Sequence, residues 1–449
     1  MSFSSVRLTL IFLILFHTVP GDAADWPLFK GDPERSGHVR QDVAVTSLAL
    51  DWQFRLPTTI ASSPVAVGDQ LFVAGENGNL YAFGLADRQL QWIRPSGGAI
   101  SATPAVFGDF VYILNLDGLF QAIHRVDGTE AWSFRTGGEK RFSAIHYMGI
   151  RHSDAPIRDP WDFYLSSPLV ADGRVHVGSS DGHLYTLDAD TGELLWRYRT
   201  AGMVHSSPAL GRKHPDGHTL VIGDWYGMVH ALDAESGEVR WTYATERDSV
   251  HQQWLGVQSS PVVDGDRVYV GSRDGYLYAL SLATGEVLWR YAMMQRSWVV
   301  ATPSVDDERI YLGSSVPGFV IALDRVDGTE VWRREVGAWS YSSPLVLGRH
   351  LVTAVMNGDL LVLDAATGEQ RWRYQSDAAR ENHFGTLDPD SGQFDNERLG
   401  SGELHQALYG YMEYILHLGG FLSSPAWHRD ELIISTSDGQ VLIFRVQED

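Results

Sequence analysis

Three stretches of this chain carry residue types that can do chemistry. Gly178–Gly182 reads GSSDG and satisfies the G-x-S-x-G spacing that sets a nucleophilic serine at a sharp turn. That chemistry needs a strand, a turn and then a helix. Here a β-branched and aromatic run follows, and a sister stretch reads GSRDG, so the serine is read as part of a hairpin. Histidines gather at His146, His152, His251, His383, His405 and His417, with Glu413 and His417 one helical turn apart. No H-x-x-x-H or H-E-x-x-H spacing accompanies them, so no metal site is assigned. The carboxylate run Asp388–Glu397 (DPDSGQFDNE) has Gly392 where a calcium loop needs an oxygen ligand. It is read as a solvated acidic loop. Walker and dinucleotide fingerprints are absent.

The elements that must position these residues repeat along the chain. Each unit has a Ser/Thr-Pro, a turn glycine and a tryptophan. Glycine and tryptophan stand 14 apart in Gly78–Trp92, Gly118–Trp132, Gly182–Trp196, Gly227–Trp241, Gly275–Trp289, Gly318–Trp332 and Gly358–Trp372. Anchor prolines precede them at 64, 104, 168, 208, 261, 303, 344 and 425. Within a unit, Val268–Val270 and Leu277–Leu280 alternate with period two about Asp274-Gly275, and Ala283–Glu286 makes the next turn. A four-stranded unit repeated near every 40 residues predicts an all-β, eight-bladed propeller. The eighth anchor has no tryptophan of its own, whereas Trp52 stands 12 before Pro64 with no blade ahead of it. The N-terminal segment is therefore expected to supply the outer strand of the last blade and close the ring.

Connections from tryptophan to the next proline are standard at 12, and several are longer. Insertions fall at about 133–163, 244–256 and 375–421, all on the face that also carries the Asp-Gly hairpins. Gly402–Leu418 predicts a helix over that face, capped by Ser401, after an irregular stretch Ser376–Gly400. Variable loops on a rigid scaffold carry function. The candidate ligand- or partner-binding residues are accordingly His205, Trp225, Trp254, Trp298, Trp339 and Tyr341. The competing use of the same rings is to fill the wide channel and pack the insertions.

The unit [ST]-P…DG-x-L-Y-A-L-D…T-G-E-x-x-W resembles the repeat of the PQQ-type β-propellers. That family includes the quinoprotein alcohol dehydrogenases and the outer-membrane assembly protein BamB. The resemblance implies that Trp52, Trp92, Trp132, Trp196, Trp241, Trp289, Trp332 and Trp372 dock each outer strand onto the neighbouring blade. It also implies a quinone cofactor with calcium for the enzymes. Those enzymes use an adjacent-cysteine ring, and this chain has no cysteine and no matched calcium position. The expected function is a non-catalytic binding or scaffold propeller without a cofactor. The alternatives are a PQQ-dependent oxidoreductase and an outer-membrane protein assembly factor.

Arg7, the apolar run Leu8–Phe16 and the small residues GDAA predict a signal peptide over 1–23, with a mature propeller over 24–449. Without cysteine there is no disulfide and no lipid anchor, and no span is long enough to stay in a bilayer. The formal charge of −21 disfavours a nucleic-acid partner. An exported monomer, periplasmic or secreted, that binds a protein or an exported ligand is the expectation.

Overall fold

The computed structural model describes residues 25–41, 43, 45, 47–144, 146–147, 150–151, 155–211, 217–246, 256–315, 318–395 and 412–447. Trp254, His152, His251 and His405 lie outside them, as does most of the helix expected at Gly402–Leu418. Eight four-stranded antiparallel sheets stand around a central channel. Blade five is typical: Val262–Asp264, Arg267–Gly271, Tyr276–Ser281 and Val287–Ala292 pair in sequence order from the channel outward. Its middle strands are buried on both faces, and the outer strand alternates between exposed and half-buried residues. That pattern follows from packing blade against blade while one edge meets water.

The last blade closes as expected. Ser47–Arg55 pairs with Gln440–Gln447, and Trp52 stands opposite Ile443. The edge that a chain terminus would leave open is thereby paired within the molecule.

Blade-to-blade contacts repeat as regularly as the sequence. The indole N–H of Trp132 donates to the Ala189 carbonyl of the next blade at 3.0 Å, and Trp241 does the same to Leu282 at 2.8 Å. The turn glycine of that next blade lies flat on the ring. A Cβ at Gly192, where φ is +72°, would come within 2.5 Å of Trp132. Blade one has Arg88 at the equivalent position, also left-handed, with its guanidinium 5.3 Å over Trp52. Trp372 instead meets Phe444 edge-on at 5.6 Å.

The residue before each anchor proline builds a second seam. The backbone N–H groups of Ser63, Thr103, Ser167 and Ser207 donate to the hydroxyls of Thr103, Ser167, Ser207 and Ser260 at 2.8–3.0 Å. Ser260, Thr302, Ser343 and Ser424 continue to Thr302, Ser343, Ser424 and back to Ser63 at 2.9–3.1 Å. The eight hydrogen bonds form a closed girdle around the channel. The proline that follows has no N–H to compete and holds this residue extended.

The N-terminal leader packs across the propeller along its channel wall. Trp26 bridges Ala66, Pro27 accepts from Val106, and Pro33, Glu34, Ser36 and Gly37 accept from Leu210, Val263, Val305 and Val346. His38–Val39 then adds a parallel fifth strand to blade seven. The leader uses the inner-strand N–H groups that a bare channel would leave to water. Its two buried cations are bound mainly by neutral oxygens. Arg35 donates to the Pro208, Ser167, Pro168 and Phe29 carbonyls, and Lys30 to Ser304 and the Pro344 carbonyl. Burial pushes the Lys30 pKa down to about 7, partly opposed by Asp32.

Two outcomes follow. With its ordinary value of 10.5 in the unfolded chain and about 7 when folded, Lys30 carries a proton in the unfolded state alone between those pH values. Stability therefore rises with pH across that window and is lost as pH falls towards 7. Denaturant titrations at several pH values should show this rise in the native protein and a flatter profile in Lys30→Met. Separately, Ser260→Ala leaves the buried Ser207 N–H without its acceptor and should cost about 1–3 kcal/mol in equilibrium unfolding.

Candidate functional site

The insertion between blades two and three folds down over one mouth of the channel. Four of the candidate residues lie beneath it, and Trp339 packs beside them. His205, Trp225, Trp298 and Tyr341 are buried, with relative exposures of 2%, 3%, 8% and 4%. Trp339 is partly buried in the same cluster. Trp161 of the insertion meets Trp339 edge-on at 4.8 Å and stacks on Tyr341 at 6.2 Å. Phe142 lies parallel to Trp225 at 4.3 Å. As a surface offered to a partner, these rings do not fit their burial. They fill the mouth and pack the insertion, because a channel this wide is lined by more apolar area than the repeat alone can cover.

A polar network runs through the same packing. Arg273 is fully buried between two indoles, 4.4 Å from the Trp225 ring and 4.2 Å from Trp298. Its planar cation suits that sandwich, and its edge donates to Asp159 at 2.5 Å and to the Gln258 side-chain oxygen. Gln258 in turn donates to the Trp161 carbonyl at 3.0 Å. Burial raises the Asp159 carboxyl above its usual range, against the pull of Arg273. Asp162 is held below the usual range, since His205 and the Phe142 N–H outweigh its burial. His205 bridges Asp162 at 2.9 Å and Ser180 at 2.8 Å. The insertion also contributes Glu139, whose carboxylate accepts from the Ser180 N–H and the Ser179 hydroxyl, each at 2.6 Å.

Sequence reasoning named His205 but missed its partners. Asp159 and Asp162 stand in an insertion whose path is not periodic. Arg273 was visible only as the odd residue in GSRDG, where most sister turns have a small or neutral residue. Ser180 was read as a hairpin residue, and Ser179–Gly182 is indeed the turn between Arg174–Gly178 and His183–Asp188.

Elsewhere on the inserted face, the stretch read as irregular begins with a helix, Asp377–Glu381, because Ser376 accepts from the Ala379 N–H as its cap. Residues 412–417 are helical, and His417 donates to, or shares a proton with, the Glu413 carbonyl at 2.8 Å rather than facing its carboxylate. Asp388 spends its carboxylate on the Asp390 and Ser391 amides and the Ser391 hydroxyl. Among the described residues no three His, Asp or Glu side chains converge as a metal site.

The comparisons with known proteins complete the picture. A family model described as outer membrane protein assembly factor BamB matches residues 36–157, 150–273 and 249–389. This chain belongs to that PQQ-repeat propeller family. Among its relatives is a quinohemoprotein alcohol dehydrogenase, ADH-IIG, of Pseudomonas putida, 24% identical over 44% of this chain and 27% of that protein. The BamB proteins of Burkholderia pseudomallei and Legionella pneumophila are 30% and 28% identical, over 30% and 34% of this chain and 29% and 47% of their own lengths. The chain thus spans less than half of each of these curated relatives. In fold it is similar to BamB of Moraxella catarrhalis, with a TM-score of 0.63 at 17% identity, covering 89% of this chain and all of that one. The quinohemoprotein alcohol dehydrogenase of Comamonas testosteroni gives 0.70 at 14% identity, covering 95% of this chain and 81% of that one.

Both branches of the family pose one question of this site, which is whether a flat quinone fits. Asp159, Asp162 and Gln258 do bring carboxylates and an amide to the channel above aromatic rings. Each is already committed to Arg273, to His205 or to a backbone group. The space left between the leader's Phe29 and the insertion's Tyr164 and Leu165 is about 30 Å³. That holds about two water molecules. Among the described residues, that space does not admit a tricyclic tricarboxylate.

The ion pair inside the indole sandwich gives a direct test. Arg273→Met or Asp159→Leu alone strands a buried charge and should lower unfolding free energy by about 3–5 kcal/mol. The double variant should recover most of that loss in a urea-denaturation cycle.

Proposed function

We propose that this protein is an exported scaffold of the outer-membrane protein assembly type, which binds another protein through its inserted face. The observation that carries the reading is the sealed channel. The leader fills it from within and the insertion closes its mouth, so the ring offers its outer surfaces rather than an interior pocket. Family membership and the apolar N-terminal run support an exported location, and the matched BamB proteins support a protein partner.

The contact surface on this reading is not the buried cluster but the rings that remain exposed on the same face. Phe384 and Tyr414 are 48% and 44% exposed, with ring centroids 5.7 Å apart and planes tilted by 47°, and Tyr226 is 67% exposed. All three stand in connections or hairpins of the inserted face. Rigid aromatics are efficient contact residues because they bury area while losing few rotamers. Sequence counting overlooked them because, apart from His205 and Tyr341, it weighed only tryptophans.

The test is capture of outer-membrane barrel precursors or their assembly machinery from envelope extract by the purified, tagged protein. Phe384→Ala with Tyr414→Ala should reduce capture at least several-fold and leave the melting temperature within a few degrees. Trp298→Ala should instead lower stability by about 3–5 kcal/mol. No capture, together with alcohol-dependent dye reduction on adding PQQ and calcium, would replace this reading with the quinoprotein one.

A further inference from the structure

Asp162, His205 and Ser180 lie in line. Asp162 Oδ1 is 2.9 Å from His205 Nδ1, and His205 Nε2 is 2.8 Å from Ser180 Oγ. A carboxylate that orients an imidazole, with the far nitrogen on a hydroxyl, is the arrangement by which serine becomes a nucleophile. The propeller repeat does not require it. The three residues come from the first insertion, the run before Pro208 and the hairpin of blade three. The residues matching the pair Ser180 and His205 in the two following hairpins are Trp225 with Gln258 and Arg273 with Val300, and neither pair can act as hydroxyl and imidazole.

The surroundings of Ser180 supply the other half of such a site. Hydrolysis through serine needs donors for the negative oxygen that forms on the substrate, and the nucleophile's own N–H is one of the groups that serve. Here the Ser180 N–H and the Ser179 hydroxyl donate to the two oxygens of one carboxylate already in place, Oε2 and Oε1 of Glu139 respectively. Its carboxylate sits as the acid product of an ester cleavage would sit. The neighbouring Lys140 carbonyl accepts the Ser180 hydroxyl at 3.0 Å, which turns its proton away from His205. Glu139 and Lys140 thus cap both the nucleophile and its oxyanion donors.

We propose that Ser180, His205 and Asp162 form a self-capped acyl-transfer site, which cleaves small carboxylic esters when the Glu139–Lys140 segment withdraws. Ser180 Oγ attacks the ester carbonyl carbon while His205 Nε2 takes its proton. The Ser180 N–H donates to the oxyanion, and the Ser179 hydroxyl, released from Glu139, rotates to join it. The ester C–O bond breaks, and His205 returns the proton to the departing alkoxide as an alcohol. Water then attacks the acyl-serine by the same proton route, releasing the carboxylic acid and restoring Ser180. Asp162 holds the imidazole and stabilises its charged form. The acyl group is short, because the space it enters is the space of one glutamate side chain.

The experiment uses the full chain and a fluorophosphonate probe, followed by intact mass and peptide mapping. Glu139→Ala should gain one phosphonyl adduct at Ser180 roughly tenfold or more faster than the native protein. The adduct should be absent in Glu139→Ala combined with Ser180→Ala, and strongly slowed with His205→Gln. p-Nitrophenyl acetate should be turned over by the same variants that label. If Glu139→Ala does not fold, Glu139→Gln keeps the side-chain shape, removes the charge, and is read by the same criteria. An adduct on another residue, a rate indifferent to His205, or no adduct in any folded uncapped variant overturns the proposal and leaves the three residues as a latch for the insertion.

Discussion

The ring of hydrogen bonds through the residue before each anchor proline is the constraint on which the rest of the propeller depends. Each blade contributes one hydroxyl and one N–H, and each bond crosses to the next blade. A single such bond is worth little on its own. Eight in a closed cycle are different, because opening any one blade breaks two of them together with the indole contacts outside. The geometry explains why the position holds Ser or Thr and why proline follows. The hydroxyl must reach one blade, while the residue itself stays extended at the inner wall. Blade angle and channel width are set at this radius, and the tryptophans merely repeat the same spacing further out.

A ring fixed in this way has a wide channel, and a wide channel is a problem the repeat cannot solve. Inner strands have a free edge of N–H and C=O groups, and their upper ends carry apolar rings. The leader answers the first difficulty by pairing with one inner strand after another. The insertion answers the second by laying Phe142, Trp161 and Phe163 against the mouth. Three buried cations mark these plugs, Lys30 with Arg35 below and Arg273 above, and they are held differently. The leader's pair rests on carbonyl and hydroxyl oxygens with Asp32 nearby. Arg273 has a full carboxylate and two aromatic faces. Charge therefore specifies the register of each plug, and neutral packing supplies the cohesion.

The blades, their number and their closure were legible in the sequence, because the glycine-to-tryptophan offset of 14 holds in seven blades and Trp52 supplies the tryptophan the eighth lacks. Trp52 could be placed beside the final strand by spacing alone. The plugs were not legible. The leader binds through its backbone, so its side chains carry no period to read. The exposure of rings such as Trp225 and Trp298 depends on where an aperiodic loop comes to rest. The signal that existed was chemical. In hairpins built from the same pattern, Glu76, Ser180 and Arg273 carry a charge or a hydroxyl, and all three prove to be points where the insertion is fastened.

A sealed channel also decides how the two branches of this family can share one frame. Quinone chemistry needs the mouth open and its carboxylates uncommitted, whereas an assembly scaffold needs only a stiff ring with exposed connections. In this chain Asp159 and Asp162 are spent on Arg273 and His205 by the insertion that contains them. The loop that closes the mouth is thus the same loop that consumes its acids. Lengthening one connection can therefore convert a ligand-binding propeller into a closed one without altering any blade. The unequal lengths of the connections from tryptophan to proline, set against the uniformity of the repeats, confine the three insertions to one face.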